Sequence, residues 1–491
     1  MSDVTENNTS LDNASHDIIK KIENDKIDFV SMWFTDIFGE LHCIGIPSYS
    51  LNVEHFKDGF DKLDASSVRG FSPINKSDLL LLPDISTYKV LPPYYDNENR
   101  RNARMFVDVY DGSVQSTDRY GRDSRGILKK TKNEMMAFGF TEARFGPEIE
   151  FFIFDSIKLF PSSIGAIQPY GGAGYHIESK EAPWADKHVG TTVSLKDGYY
   201  TAQPIDTTNS LRKDICDDLH KYFGMRIEAE HHEVATGGQC ELNIRHDEMT
   251  AMADNVITIK NLVKVKAASK DKIATFMPKP IYGDNASAMH IHQKLWQKDR
   301  NRMYDQDDEN GLSQIGRYYI GGILSHAASL CAISNPTTNS YKRLIPNFEA
   351  PVNVCWGINN RSVAIRVPTS HNSEKSKRIE YRIPDATSNI YILEAGLLLA
   401  GLDGIKKKID PGDPVEENVY KLSDEQKRNY GVTSLPLTLK DAINALQCDH
   451  DFLQATFTKD FLDVYCSIKQ KEFSAFAQIP TAWEVAMYAN V

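Results

Sequence analysis

The stretch GPEIEFFIF, Gly146 to Phe154, sets two carboxylates inside a run of phenylalanine and isoleucine. Read as a β-strand, it sends Glu148, Glu150, Phe152 and Phe154 to one face and Ile149, Phe151 and Ile153 to the other. Both faces read as core. An unpaired carboxylate in such a setting costs several kcal/mol or gives up its charge by binding a proton. A positive counter-charge is therefore expected nearby. The bland alternative, a solvated strand face, fits a lone Glu-x-Glu but not its apolar flanks.

Three other segments supply partners. In RIEAEHHEVATGGQCEL, Glu228, His231, His232, Glu233 and Glu241 surround a glycine-rich turn. In NASAMHIHQKLW, His290 and His292 alternate with Met289, Ile291 and Leu295, so both imidazoles lie on one face of a strand. The C-terminal third adds Arg343, Glu349, Arg361, Arg366, Lys375, Arg378, Glu380 and Arg382, with Arg378, Glu380 and Arg382 sharing a strand face. Charged helix ends, satisfied core histidines and internal ion pairs are the structural alternatives for these segments. Together, however, they form a donor set that is mostly carboxylate with one or two imidazoles and no well-placed cysteine. That set suits a hard octahedral ion, Mg²⁺ or Mn²⁺, rather than structural zinc. Arginine's planar fork suits phosphate and carboxylate, so metals amid arginines point to phosphoryl transfer from a nucleotide.

The rest of the chain narrows the setting. With 491 residues, 41% of them hydrophobic, it is long enough for two or three domains and a substantial core. Lys+Arg of 56 against Asp+Glu of 67 gives a formal charge of -11, which with no basic run argues against nucleic acid. No run of about eighteen apolar residues reads as a membrane span. Seven cysteines without a CxxC indicate free thiols in a reducing cytoplasm. The polar start MSDVTENNTSLDNA reads as a disordered tail, residues 1–14, without signal or transit features.

Residues 15–111 read as a small mixed unit, beginning with a short amphipathic helix (Ile18, Ile19, Ile22) and a hairpin whose turn is DIFGE. The Gly/Ser-rich stretch DGSVQSTDRYGRDSRG reads as a linker and places a boundary near 111–124. Beyond it, over 124–491, helices alternate with strands. Ser210 is expected to cap a helix carrying Leu211, Ile215, Leu219 and Phe223 and ending at Gly224, and a second helix runs from Met249 through Val263. Neither a phosphate-binding GxxxxGK[ST] loop nor GxGxxG, HExxH or GxSxG occurs.

In this order, FTDIFGELH, KLDASSV, GPEIEFF, HHEVATGGQCE, MHIH, NPTTNSYKRL, NRSVAIR and RIEYRIPD resemble the signatures of glutamine synthetase of the bacterial and archaeal type I class, from about residue 28 to the C-terminus. The resemblance implies an α+β fold with a small N-terminal β-grasp domain and a larger catalytic domain, whose antiparallel sheet forms a funnel flanked by helices. It also implies ATP-dependent ligation of ammonia to glutamate through a γ-glutamyl phosphate, two or more Mg²⁺ or Mn²⁺ ions per site, and a cytoplasmic dodecamer of two hexameric rings. Carried over, the family pattern makes Glu150, Glu233 and Glu241 ligands of a first ion and Glu148, His290 and Glu380 ligands of a second. Arg343, Arg361 and Arg382, with Asn285, Ala286 and Ser67, would hold glutamate. Glu228, His292, Arg361, Arg366, Lys375 and Arg378 would contact ATP. Asp64 would be the ammonium-binding base, completed by Tyr199, or alternatively Tyr200, and by the flap residue Glu349, in a site shared between neighbouring subunits.

Some residues depart from the pattern. Ala65, Ala286 and Ala288 stand where glycine is usual and would be strained if those positions needed positive φ. Lys294 replaces a small hydroxyl residue. Tyr420 sits where related bacterial enzymes carry an adenylylated tyrosine. The rival readings are a γ-glutamyl-amine ligase, which the retained Asp64, Ser67 and Tyr199 argue against, and a catalytically inactive relative, which should have lost metal ligands.

Overall fold

The computed structural model describes the chain except residues 1, 97, 99, 113–118, 161–173, 186–189, 191, 347, 349 and 370–372; of residues 2–11 and 160 it describes the backbone alone. Helix α1 (Ser2–Asn24) opens the chain and includes the stretch 2–14 expected to be a disordered tail. Ile18 and Ile22 are buried on it, and Asp12 pairs with Lys57. The apolar stripe starts only at Ile18, so the sequence pattern gave no sign of the polar turns that precede it.

The small sheet consists of β1 (Phe29–Thr35), β2 (Leu41–Pro47), β3 (Phe60–Asp64), β4 (Asp78–Pro83), β5 (Lys89–Val90) and β6 (Asn102–Tyr110), in the order β2-β1-β6-β4-β3 with β5 beside β6. β1 runs parallel to β6 and antiparallel to β2, giving a mixed sheet that fits the expected β-grasp. The hairpin predicted at DIFGE is present, with Thr35 paired to Leu41. Asp36 holds the turn by accepting the Phe38 and Glu40 amides at 2.8 and 2.9 Å. Gly39 adopts φ +82°, and a Cβ there would meet the Asn389 Cα at 2.8 Å. Asn389 in turn donates to the Asp36 and Ile37 carbonyls and to Ser124, tying this turn to the larger unit.

After helices α2 (Val53–Lys57) and α3 (Ser124–Ala137), the large sheet begins with β7 (Glu142–Phe154); β8 (Ser156–Phe160) and β9 (Gly174–Glu178) form a separate hairpin. Helix α4 (Asn209–Phe223) starts two residues earlier than expected, with Thr208 rather than Ser210 at its N-cap, and ends at left-handed Gly224 as predicted. Then come β10 (Ile227–His232), β11 (Gln239–Ile244), β12 (Asp247–Glu248), α5 (Met249–Ala268), β13 (Ile273–Thr275), β14 (Met289–Gln297) and β15 (Arg300–Asn301). Helices α6 (Gln314–Ser325), α7 (Ala327–Ser334) and α8 (Ser340–Arg343), strands β16 (Asn353–Val354), β17 (Trp356–Ile358), β18 (Ile365–Val367) and β19 (Ile379–Tyr381), and helix α9 (Ile390–Lys407) follow.

Among the described residues the large sheet runs β10-β11-β7-β14-β19-β18-β17, antiparallel throughout this path except for the parallel β17–β18 pair. One face carries Ile149, Phe151, Leu242, Met289, Ile291, Ile379 and Tyr381 into the main core. Phe152 and Phe154 leave that core for a smaller cluster with Ile177, Ala235 and Ile281. The period-2 split read from GPEIEFFIF is thus the observed one.

Candidate active site

Register brings the charged residues together. In antiparallel pairs, directly opposed residues share a face. Glu148 on β7 faces Asn243 on β11 and His290 on β14; Glu150 faces Glu241, which faces His231 on β10; His292 faces Glu380 on β19, which faces Arg366 on β18. One sheet face therefore carries the whole constellation above a cleft of about 730 Å³. Glu233 joins it from the turn after β10, whose tightness depends on Gly238: at φ +90°, a Cβ there would meet the Ile153 carbonyl oxygen at 2.6 Å.

At one end, His231, Glu233 and Glu241 bring donor atoms within 4.8 Å of one another. Glu150 adjoins them, its carboxylate accepting from the Ala288 amide at 2.9 Å and from Gln239 at 3.2 Å. Burial, then repulsion from Glu241, pushes the Glu150 pKa up to about 8. Burial, then Glu150 and Glu241, pushes Glu233 up to about 10. Three carboxylates crowded beside one imidazole form a mostly oxygen donor set that fits a divalent ion.

At the other end, Glu148, His292 and Glu380 form a second such group. His290 Nδ1 lies 3.2 Å from Glu148 and 3.7 Å from Glu380. Glu148 is half-buried; against the cost of that burial, His290 and His292 hold its carboxyl well below the usual range. Glu380 is fully buried; against that burial, Arg382 keeps it charged, and Arg366 pairs with its other oxygen. Arg378 donates to His292 Nδ1 at 3.1 Å. Arg343 is fixed by the Ile383 and Arg382 carbonyls. Arg343, Arg361, Arg366, Arg378 and Arg382 all border the cleft, an array suited to anionic substrate groups.

Every expected metal residue reaches the cleft, as do Glu228, Asn285, Ala286 and Tyr199. Tyr199 and Tyr200 stack with ring centroids 4.0 Å apart, and Tyr200 also meets His231 edge-on, so both alternatives border the site. Lys375 is exposed and outside the cleft lining; its carbonyl accepts from Lys294 Nζ at 3.0 Å. Asp64 and Ser67 are also exposed and outside it, with Asp64 accepting from Ser66 and Ser67. Glu349 lies outside the described residues. Ala65, Ala286 and Ala288 are not among the positive-φ residues, so alanine is unstrained there. His231 stands among the sequence candidates without an assigned role; the residues missed from sequence are Gln239 and Asn243, the latter donating to Glu241 at 2.6 Å. Two-residue alternation from Glu241 would have found both. Lys294 also enters the cleft, with burial and then Arg378 bringing its pKa down to about 8.

Comparison with known proteins agrees with this geometry. A family model described as "Glutamine synthetase, beta-Grasp domain" matches residues 26–112, and one described as "Glutamine synthetase, catalytic domain" matches residues 121–488. A glutamine synthetase of Sulfolobus acidocaldarius is 43% identical over 483 residues, 98% of this chain and 99% of that one. One of Streptomyces coelicolor is 38% identical over 97% of this chain and 99% of its own length. The Plasmodium falciparum glutamine synthetase structure superposes with a TM-score of 0.85 at 26% identity, covering 96% of this chain and 98% of that chain.

Proposed function

The chain belongs to the glutamine synthetase family, and we propose that the cleft residues divide the work of ammonia ligation among themselves in the way set out here. The enzyme is an ATP-dependent glutamate–ammonia ligase: it joins ammonia to L-glutamate and releases glutamine, ADP and phosphate. Family members use ATP and divalent metal ions and are oligomeric.

A carboxylate is a poor electrophile, so the glutamate side chain must first take the γ-phosphate of ATP, in line, as a γ-glutamyl phosphate; ammonia then displaces phosphate. Glu150, Glu233 and Glu241 would hold one ion near the glutamate carboxylate, and Glu148, His290 and Glu380 a second near the phosphate, with His231 and His292 adjoining. Bound there, Mg²⁺ or Mn²⁺ would neutralise charge developing on the phosphoryl oxygens. Arg343, Arg361 and Arg382, with Asn285, Ala286 and Ser67, orient glutamate. Glu228, His292, Arg361, Arg366 and Arg378, with Lys375 beside the lining residue Ser376, orient the nucleotide.

Ammonium is no nucleophile until it loses a proton. Asp64, Tyr199 and Glu349 form the anionic pocket that attracts the cation and takes that proton. Because Asp64 and Ser67 lie outside the cleft of their own chain, they serve a neighbour's site, in a dodecamer of two hexameric rings. Residues 15–111 form the domain that makes this reach and 124–491 the catalytic domain, and the enzyme works in the cytoplasm.

The observation that carries the assignment is the crowding of Glu150, Glu233 and Glu241 beside an arginine-lined wall. The test is ADP formation that requires glutamate, ammonium and a divalent ion, with Mg²⁺ and Mn²⁺ compared and the chelated enzyme inactive. Putrescine or ethylamine replacing ammonium at equal rate would instead identify a γ-glutamyl-amine ligase, and no turnover with any acceptor an inactive relative.

A further inference from the structure

A second cavity, of about 620 Å³, lies between Ser86–Lys89 of the small unit and the segment from Phe223 to Asn255 of the large one. It shares the wall residues Ile244 and His246 with the catalytic cleft. Three of its four acidic lining residues are engaged in ion pairs, and the fourth, the exposed Asp247, accepts the Glu248 amide. Asp84 and Asp254 pair with Arg125 at 2.7 and 2.9 Å, and Glu248 pairs with Lys132 at 3.0 Å while capping α5. Of its basic lining, Arg125 is thereby paired, whereas among the described residues Lys89, Arg104, Arg226 and Arg245 have no carboxylate within ion-pair distance.

Arg104 is the decisive member. It is 3% exposed and packs over Phe106, with its guanidinium carbon 4.6 Å from the ring centre. Nη1 donates to the Thr87 carbonyl at 2.6 Å and Nη2 to Thr258 at 3.1 Å, whereas the buried Nε–H has no acceptor. Thr250 Oγ1 and His246 Nδ1, in the same lining, are also buried without partners. A buried guanidinium with an idle donor and no carboxylate at ion-pair distance, Asp254 acting on it only from further away, is costly. Idle polar atoms on residues that line a cavity of ligand size are explained by an occupant that pairs with them once those side chains turn toward it. Burial, followed by the positive charges of Lys294, Arg144 and Arg245, lowers the His246 pKa to about 4, so at neutral pH it acts as a neutral hydrogen-bonding group.

We propose that this cavity binds a small anion, a metabolite bearing a carboxylate or phosphate group, whose oxygens accept from Arg104 Nε–H with Lys89 and the Thr250 hydroxyl as further donors. The site is distinct from those for ATP and glutamate and is separated from them by the His246 wall.

The experiment uses the intact oligomer with its catalytic cleft saturated by glutamate and a non-hydrolysable ATP analogue, at ionic strength held constant with chloride. Calorimetric and thermal-melting titrations are run with succinate in one arm and inorganic phosphate in the other. One of them should bind once per chain and raise the melting temperature, and the arm that does so identifies the recognised group. Arg104→Met should weaken that binding about ten- to a hundredfold, the worth of a charge-assisted hydrogen bond, and Lys89→Met several-fold. If Arg104→Met does not fold, Lys89→Met together with Arg226→Gln carries the comparison. Absence of binding in both arms, as when a neighbouring subunit's carboxylate fills the cavity, overturns the proposal. So does unchanged binding in the variants.

Discussion

Glu150 shows how surroundings shift a single side chain. Its carboxylate receives the Ala288 amide and the Gln239 amide group, while Glu233 and Glu241 crowd it. Glu150→Ala should therefore abolish glutamine synthesis and leave the melting temperature of the metal-free protein unchanged or raised, since truncation removes an uncompensated buried carboxylate. Normal Mn²⁺ binding together with turnover would show that Glu150 is not a ligand. Glu148 differs in that His290 and His292 already stabilise its charge. Glu148→Ala should raise the KM for ATP more than that for glutamate, measured from initial rates of ADP release. Equal changes would undo the division of the site into two ends.

The elements supply the fixed frame. Asn389 caps α9 through the Tyr391 amide at 3.1 Å and donates to the Asp36 turn and to Ser124. Asn389→Ala removes a cap and strands buried carbonyls, so a loss of about 2–3 kcal/mol is expected in denaturant unfolding. A second junction lies between α6 and α7, where His326 is clamped by Asp449 at 2.8 Å and Asp403 at 3.0 Å, with Lys407 also on Asp403. Burial opposes its protonation, but the two aspartates outweigh it and raise its pKa above the usual 6.5. A raised folded pKa contributes stability that is complete below about pH 6.5 and lost as pH rises through the folded value. His326→Gln should flatten the wild-type decline in melting temperature from pH 6.5 upward. An unaltered slope would show that another group titrates there.

In the whole molecule, the cleft is built by the large sheet while Asp64 stands outside it. Asp64→Ala and Arg361→Ala should each be inactive, one lacking the proton acceptor and the other the substrate clamp. Unfolding an equal mixture and reassembling it should regenerate roughly a quarter of the sites with both residues native, because each head-to-tail contact in the proposed closed ring would pair independently drawn subunits. Activity should reappear from two inactive parents. Hybrid oligomers verified by mass and still inactive would locate the complete site within one chain.

Local pattern carried much of this protein. Strand alternation in GPEIEFFIF and MHIH, the DIFGE turn and the stripes of α4 and α5 all follow from side-chain periods of 2 and 3.6, which are properties of neighbouring residues along the chain. The same periods place Glu148, Glu150, His290, His292 and Glu380 on strand faces. What they leave undetermined is which strands adjoin. The pairings of Glu148 with His290 across 142 residues of chain, and of His292 with Glu380, exist only through the register of β7, β14 and β19. The elevation of Glu150 beside Glu241 and of Glu233 beside Glu150, the exposure of Lys375 and the idle Nε–H of Arg104 likewise depend on distances and burial that folding alone creates. A carboxylate's neighbours in space, not those in sequence, fix its charge, because electrostatic energy depends on separation and surrounding solvent.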